Sequence, residues 1–63
     1  MFSVCCKIKE CVNSFYSENA LTALKECYNM NKSFDNMTIC ILDLQSNNSI
    51  IVQDGMIKYI EGW

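Results

Sequence analysis

The run Met37 to Leu44, MTICILDL, constrains this chain more than any other stretch. It is rich in branched aliphatic side chains and almost continuous in apolarity, the pattern of a strand at the centre of a sheet or covered on both faces. Cover has to come from a chain of only 63 residues. A domain of that size hides only about 60% of the surface its unfolded form exposes. One domain spanning residues 1–63 is therefore expected, and one that gains by association.

The segments around the run supply the expected partners. From Phe2 to Tyr16 the apolar positions Phe2, Val4, Cys5, Ile8, Cys11, Val12, Phe15 and Tyr16 follow a three-and-four spacing, which predicts a first amphipathic helix. A second helix is expected from Ser17, whose hydroxyl can cap free amides, with Glu18 at the positive end of the helix dipole. Its stripe is Ala20, Leu21, Leu24, Cys27 and Tyr28, and it should end near Asn29 to Asn31, where the period is lost. After the apolar run, QSNNS reads as a loop, and IIVQ and MIKYI read as two strands. Asp54-Gly55 joins them as a hairpin turn, because that dipeptide tolerates positive φ. The expected fold is α+β, with two N-terminal helices followed by a three-stranded antiparallel meander (ααβββ) in two layers. Two helices cover one sheet face, so the other is expected to meet a second copy or a protein partner through Ile39, Ile41, Tyr59, Ile60 and Trp63. Trp63 alternatively folds back over the hairpin.

Charge and composition narrow the partner class. Five basic and seven acidic side chains leave a net charge of −2, with the lysines scattered rather than striped, so nucleic acid is not the expected partner. No run reaches the length of a membrane-spanning helix. The stretch before Lys7 is too short for the apolar core of a secretory signal, which points to an intracellular, cytoplasmic protein. Sequons at Asn31, Asn36 and Asn47 would matter only after secretion. The five cysteines include no C-x-x-C pair, and histidine is absent. They read as small buried hydrophobes rather than zinc ligands, and their odd number argues against a closed disulfide framework. Adjacent Cys5 and Cys6 are a minor candidate for palmitoylation, without the second signal that stable anchoring needs.

Stand-alone catalysis is not expected. The most common general base is missing, the cysteines lie in apolar patterns, and the only glycines are Gly55 and Gly62, which form no phosphate-binding loop. Asp35-Asn36 remains, immediately before the apolar run. A carboxylate there is a suitable oxygen ligand for magnesium or manganese, but one aspartate rarely holds such an ion alone, and the more ordinary use of Asp35-Asn36 is to bond their own backbone and shape the turn into the strand.

Ser33-Phe34-Asp35-Asn36-Met37-Thr38, followed by Ile39-Cys40-Ile41-Leu42, resembles the S-x-D-N-[IM]-T motif and adjoining strand of the metal-dependent type 2C (PP2C-like) Ser/Thr protein phosphatases. The preceding ENALTALKECY is similar to the helix that leads to that motif. The resemblance implies that Asp35 binds one ion of a dinuclear Mg or Mn centre that activates water against a phosphoserine or phosphothreonine. Lys32 stands where the family often has glycine, and the connection from helix to motif is about two residues longer. The family's other metal-binding aspartates have no counterpart here, so the implied protein is a non-catalytic remnant, a pseudoenzyme acting as an interaction module, small subunit or dimer. Two alternatives stand beside it: a piece that completes a metal site in trans, and a small viral or host-interaction protein whose likeness to the phosphatases is accidental.

Overall fold

A computed structural model of the chain describes residues 1–62; Trp63 lies outside the described residues. Five strands and one helix follow in the order β1 (Phe2–Ile8), β2 (Cys11–Ser17), α1 (Ala20–Asn31), β3 (Met37–Asp43), β4 (Ser49–Gln53) and β5 (Met56–Glu61). The strands form one antiparallel sheet in the order β2-β1-β3-β4-β5. Among the described residues no helix is long and apolar enough to cross a membrane.

The expected ααβββ order is corrected at its N-terminal end, where the first helix is replaced by the hairpin β1–β2. Cysteine is apolar at both 5 and 6, so the segment satisfies two periods at once. Counting Cys5 gives a helical stripe, and counting Cys6 gives Phe2, Val4, Cys6 and Ile8 in strict alternation. The alternation prevails because it lets β1 pair on both sides, with β2 in the register Val4↔Phe15 and with β3 in the register Val4↔Ile41. The segment is also rich in β-branched and aromatic residues, which suit a pleated surface better than a helix. Lys9 and Glu10 make the turn, Lys9 at φ 56° without help from a glycine.

The second helix starts later than expected. Asn19, not Ser17, is its N-cap, and the Asn19 side chain accepts the Thr22 N–H at 2.7 Å. Ser17 is buried, and its hydroxyl donates to the Asn19 carbonyl at 2.9 Å, which fixes the turn from β2 into α1. At the other end Lys32 adopts a left-handed conformation, and its N–H donates to the Tyr28 carbonyl.

Directly paired residues share a sheet face, so the registers sort every strand residue. Val4, Cys6, Met37, Ile39, Ile41 and Val52 face α1, which lays Ala23 and Cys27 on them to complete the core. The thiols of Cys6 and Cys27 are hydrogen-bonded in this core, and burial pushes both up, Cys27 to about 12. Thr38, Cys40 and Leu42 of β3 point to the opposite face, beside Ser3, Cys5 and Lys7 of β1. That face mixes polar and apolar side chains, as expected of an antiparallel sheet with one side in water.

Candidate functional site

Twelve residues of helix cannot roof five strands. Neighbouring strands lie about 4.8 Å apart and a helix with its side chains is about 10 Å across, so one helix shelters two or three strands. Among the described residues the backbone of α1 lies close to β1, β2 and β3, and it reaches β4 only through side chains of the core, where Val52 is buried. The helix side of β4–β5 is left as a trough beside α1.

The floor of the trough is apolar. Ile50 pairs with Ile41 on one side and Ile60 on the other, and Val52 pairs with Ile39 and Ile57, so Ile57 and Ile60 share the face of the core. Outside the shelter of α1 they are 58% and 50% exposed. Residues three apart in a strand normally face opposite ways. Here a register shift opposite Ile51 and Val52 takes up Lys58 as an extra residue and turns both isoleucines the same way.

The wall is built by one flank of α1 and the loop after it. Leu21, Leu24, Tyr28 and Phe34 line a cleft of about 490 Å³, with Lys25 and Asn29 as its polar members. Leu21 is 63% exposed, Tyr28 is partly exposed, and Leu24 and Phe34 are half-buried against the core. The Tyr28 and Phe34 rings meet with centroids 5.2 Å apart and planes inclined at 60°, an edge-on contact that holds both in place. Phe34 also lies over the β4–β5 turn, where a carbon added at Gly55 would stand 3.4 Å from its Cβ. Asp54 and Gly55 take φ 53° and 79°, the two positive values of a tight hairpin turn.

Asp35 belongs to a turn. The Met37 N–H donates to the Phe34 carbonyl at 3.2 Å, which puts Asp35 and Asn36 at the turn's centre, with Asn36 at φ 59°. The Asp35 N–H donates to Ser33 Oγ at 3.0 Å, and the Asn36 N–H donates to Asp54 Oδ1 at 2.8 Å, tying this turn to the β4–β5 turn. Among the described residues no three His, Cys, Asp or Glu side chains come together as a metal site. One exposed carboxylate offers too little charge and too few oxygens for a dinuclear Mg or Mn centre.

The expected interaction residues separate. Ile39 and Ile41 are each 1% exposed beneath α1, which corrects their assignment to a contact surface: they are core residues. Ile60 is on the trough floor. Tyr59 is exposed on the opposite face, where its hydroxyl donates to Glu61 Oε2 at 3.0 Å and its pKa is raised by that carboxylate. Trp63 lies outside the described residues. The sequence pattern places Leu21, Leu24 and Tyr28 on the helix stripe and marks no contact role for them or for Phe34 and Ile57; the spacing of Ile57 and Ile60 is the one signal that points to this face.

The chain was compared with known proteins. No family model, curated protein or solved structure matches it.

Proposed function

We propose that this chain is a non-catalytic protein-interaction module that takes an amphipathic helix of a protein partner into the trough beside α1. The observations that carry the reading are an apolar cleft lined by Leu21, Leu24, Tyr28 and Phe34, and the exposure of Ile57 and Ile60 on the same side of the sheet, with Phe34 reaching from the cleft to the β4–β5 turn. Scattered apolar side chains on a surface need no explanation, whereas a contiguous apolar patch with polar members at its rim has the anatomy of a protein contact. The open strip runs along β5 and the outer margin of β4, where Val52 is already buried and Ile50 half-buried, so a helix seated there would rest one apolar flank on Ile57 and Ile60. A partner helix laid there would complete a second layer over β4 and β5. Its recognition would come from apolar side chains spaced three and four apart, seated against Ile57, Ile60 and Phe34. The five thiols, two of them buried in contact with each other, suit a reducing cytoplasmic setting.

The experiment replaces Ile57 and Ile60 together by aspartate and compares the size of the native complex containing the protein, from cells that make it, with that of a Tyr59→Asp control. Both variants alter exposed positions, so each should keep the far-UV spectrum of the parent. Loss of the larger complex with Ile57→Asp/Ile60→Asp, and its retention with Tyr59→Asp, is expected. A complex larger than two copies of the chain that survives the double change, or that Tyr59→Asp alone abolishes, overturns the reading.

A further inference from the structure

The sheet has two edges, and they differ in a way that bears on self-association. Natural edge strands are blunted by lysine, proline, charged side chains or bulges, because a row of unpaired N–H and C=O groups recruits another strand. The β5 edge has such devices: a register shift, Lys58 and Glu61. The β2 edge, CVNSFYS, has none of them. It holds no charged residue and no proline, and its seven residues pair with β1 in unbroken register.

The direction of its free backbone groups follows from the ladder. In an antiparallel sheet the N–H and C=O of successive residues point alternately to the two neighbours. The Leu44 N–H donates to the Met1 carbonyl at 3.1 Å, so the odd-numbered residues of β1 point towards β3 and the even-numbered ones towards β2. Their partners Cys11, Asn13, Phe15 and Ser17 point back at β1. Val12, Ser14 and Tyr16 therefore direct their N–H and C=O groups outward.

We propose that β2 is a homodimer edge, at which two copies join antiparallel about a two-fold axis through Ser14 to form one continuous ten-stranded sheet. A second copy is the occupant because the strand is complementary to itself in one register. Pairing Ser14 with Ser14 of the second copy sets Val12 against Tyr16 and Tyr16 against Val12, so all three outward-directed residues find partners and six backbone hydrogen bonds form. A shift of the two-fold to either neighbouring residue leaves one outward residue of each strand unpaired. The side chains agree with the register. Val12 and Tyr16, 58% and 68% exposed, lie on the same face and would form two aromatic–aliphatic cross-strand pairs flanking the two serines. On the helix face the half-buried Phe15 and the exposed Met30 border a cleft beside the same edge, which Asn13 and Phe15 of the second copy would close. The edge is separate from the trough, so the two proposals stand or fall independently.

The test measures mass by sedimentation velocity and backbone protection by amide hydrogen exchange on the full chain and two variants. Ser14→Pro removes an N–H that makes no bond inside one copy and places a ring at the two-fold; proline is tolerated at such outward edge positions. Ser14→Lys sets like charges directly opposite one another at the axis. The parent is expected to sediment at twice the 7.3 kDa of a single chain, with the Val12, Ser14 and Tyr16 amides protected. Both variants are expected at the single-chain mass, with an unchanged far-UV spectrum and loss of protection at Val12 and Tyr16. Either of two results overturns the proposal: a parent that stays monomeric up to millimolar concentration, or a dimer that persists in both variants while those amides exchange freely. Neither result touches the trough, which is read by Ile57→Asp/Ile60→Asp.

Discussion

Ile41→Ala and Ile60→Ala remove the same atoms from two residues that share a sheet face, and they should differ sharply in effect. Ile41 is in the central strand, paired with Val4 and Ile50 and closed over by the helix at 1% exposure. Truncating a buried isoleucine to alanine costs about 2–5 kcal/mol, the lost transfer energy plus the cavity left behind. For a chain of 63 residues the whole stability is about 3–9 kcal/mol at the usual 0.05–0.15 kcal/mol per residue. The unfolding entropy, about 2.1 cal/mol/K per residue, comes to about 0.13 kcal/mol/K for this length, so a loss of about 3 kcal/mol lowers Tm by about 20 °C. Ile60, half exposed on the trough floor, has far less to lose within a single copy. A surface change of up to about 0.5 kcal/mol corresponds to about 4 °C or less. Thermal unfolding followed by circular dichroism on dilute samples measures both. Equal shifts, or a larger shift for Ile60→Ala, would refute the assignment of Ile41 to the core and Ile60 to the surface.

Further outcomes follow from single residues. Gly55→Ala puts a side chain at φ 79° and 3.4 Å from Phe34 Cβ, and should lower stability by about 1–2 kcal/mol in urea unfolding. Burial keeps the Cys27 thiol protonated in the folded chain up to about 12, whereas the unfolded thiol ionises near its ordinary 9.0. The folded state then holds the extra proton, so the contribution of Cys27 should be level below pH 9 and fall as pH rises from 9 towards 12, and Cys27→Ala should flatten that decline. Asp43 is shifted the other way: the Gln45 N–H at 3.0 Å, and after it the Ser46 hydroxyl, hold its carboxyl below the ordinary 3.8. The unfolded state binds the proton first, so this contribution should be present above pH 4 and vanish as pH falls below it, and Asp43→Ala should remove that acid dependence from the urea midpoint. In the folded chain a thiol reagent should modify exposed Cys11 and Cys40 rapidly and leave buried Cys6 and Cys27 until unfolding, as read by peptide mass mapping.

How much of this was legible in the sequence depended on whether a segment obeyed one period or two. The β3 run, the Asp54-Gly55 turn and the two strands it joins could be read from their residues, because branched aliphatics and a positive-φ dipeptide have few other uses. The stretch from Phe2 to Tyr16 could not. Cys5 and Cys6 support both periodicities, and β2, as an edge strand, has Val12 and Tyr16 on one face and Phe15 on the other, which blurs the alternation. With that hairpin missed, Ile39 and Ile41 looked uncovered, since nothing local to β3 says that β1 pairs with it and that α1 crosses its face. Asp35 was readable as a turn residue or a ligand, and the tie from Asn36 to Asp54 depends on a fold the sequence did not display. The trough left one trace: Ile57 and Ile60 are three apart in a strand, a spacing that requires a bulge to bring both to one face.

The claim that the trough is a docking surface is tested most directly by a photo-reactive amino acid placed at Ile60 on the trough floor, with Lys58 in the same strand as the control, in cells that make the protein. Illumination should join the Ile60 probe to one discrete protein and leave the Lys58 probe without that adduct, with the cross-linked residues spaced three and four apart along a helix of the partner. Equal labelling at both positions, or an Ile60 probe that captures only water, would contradict it.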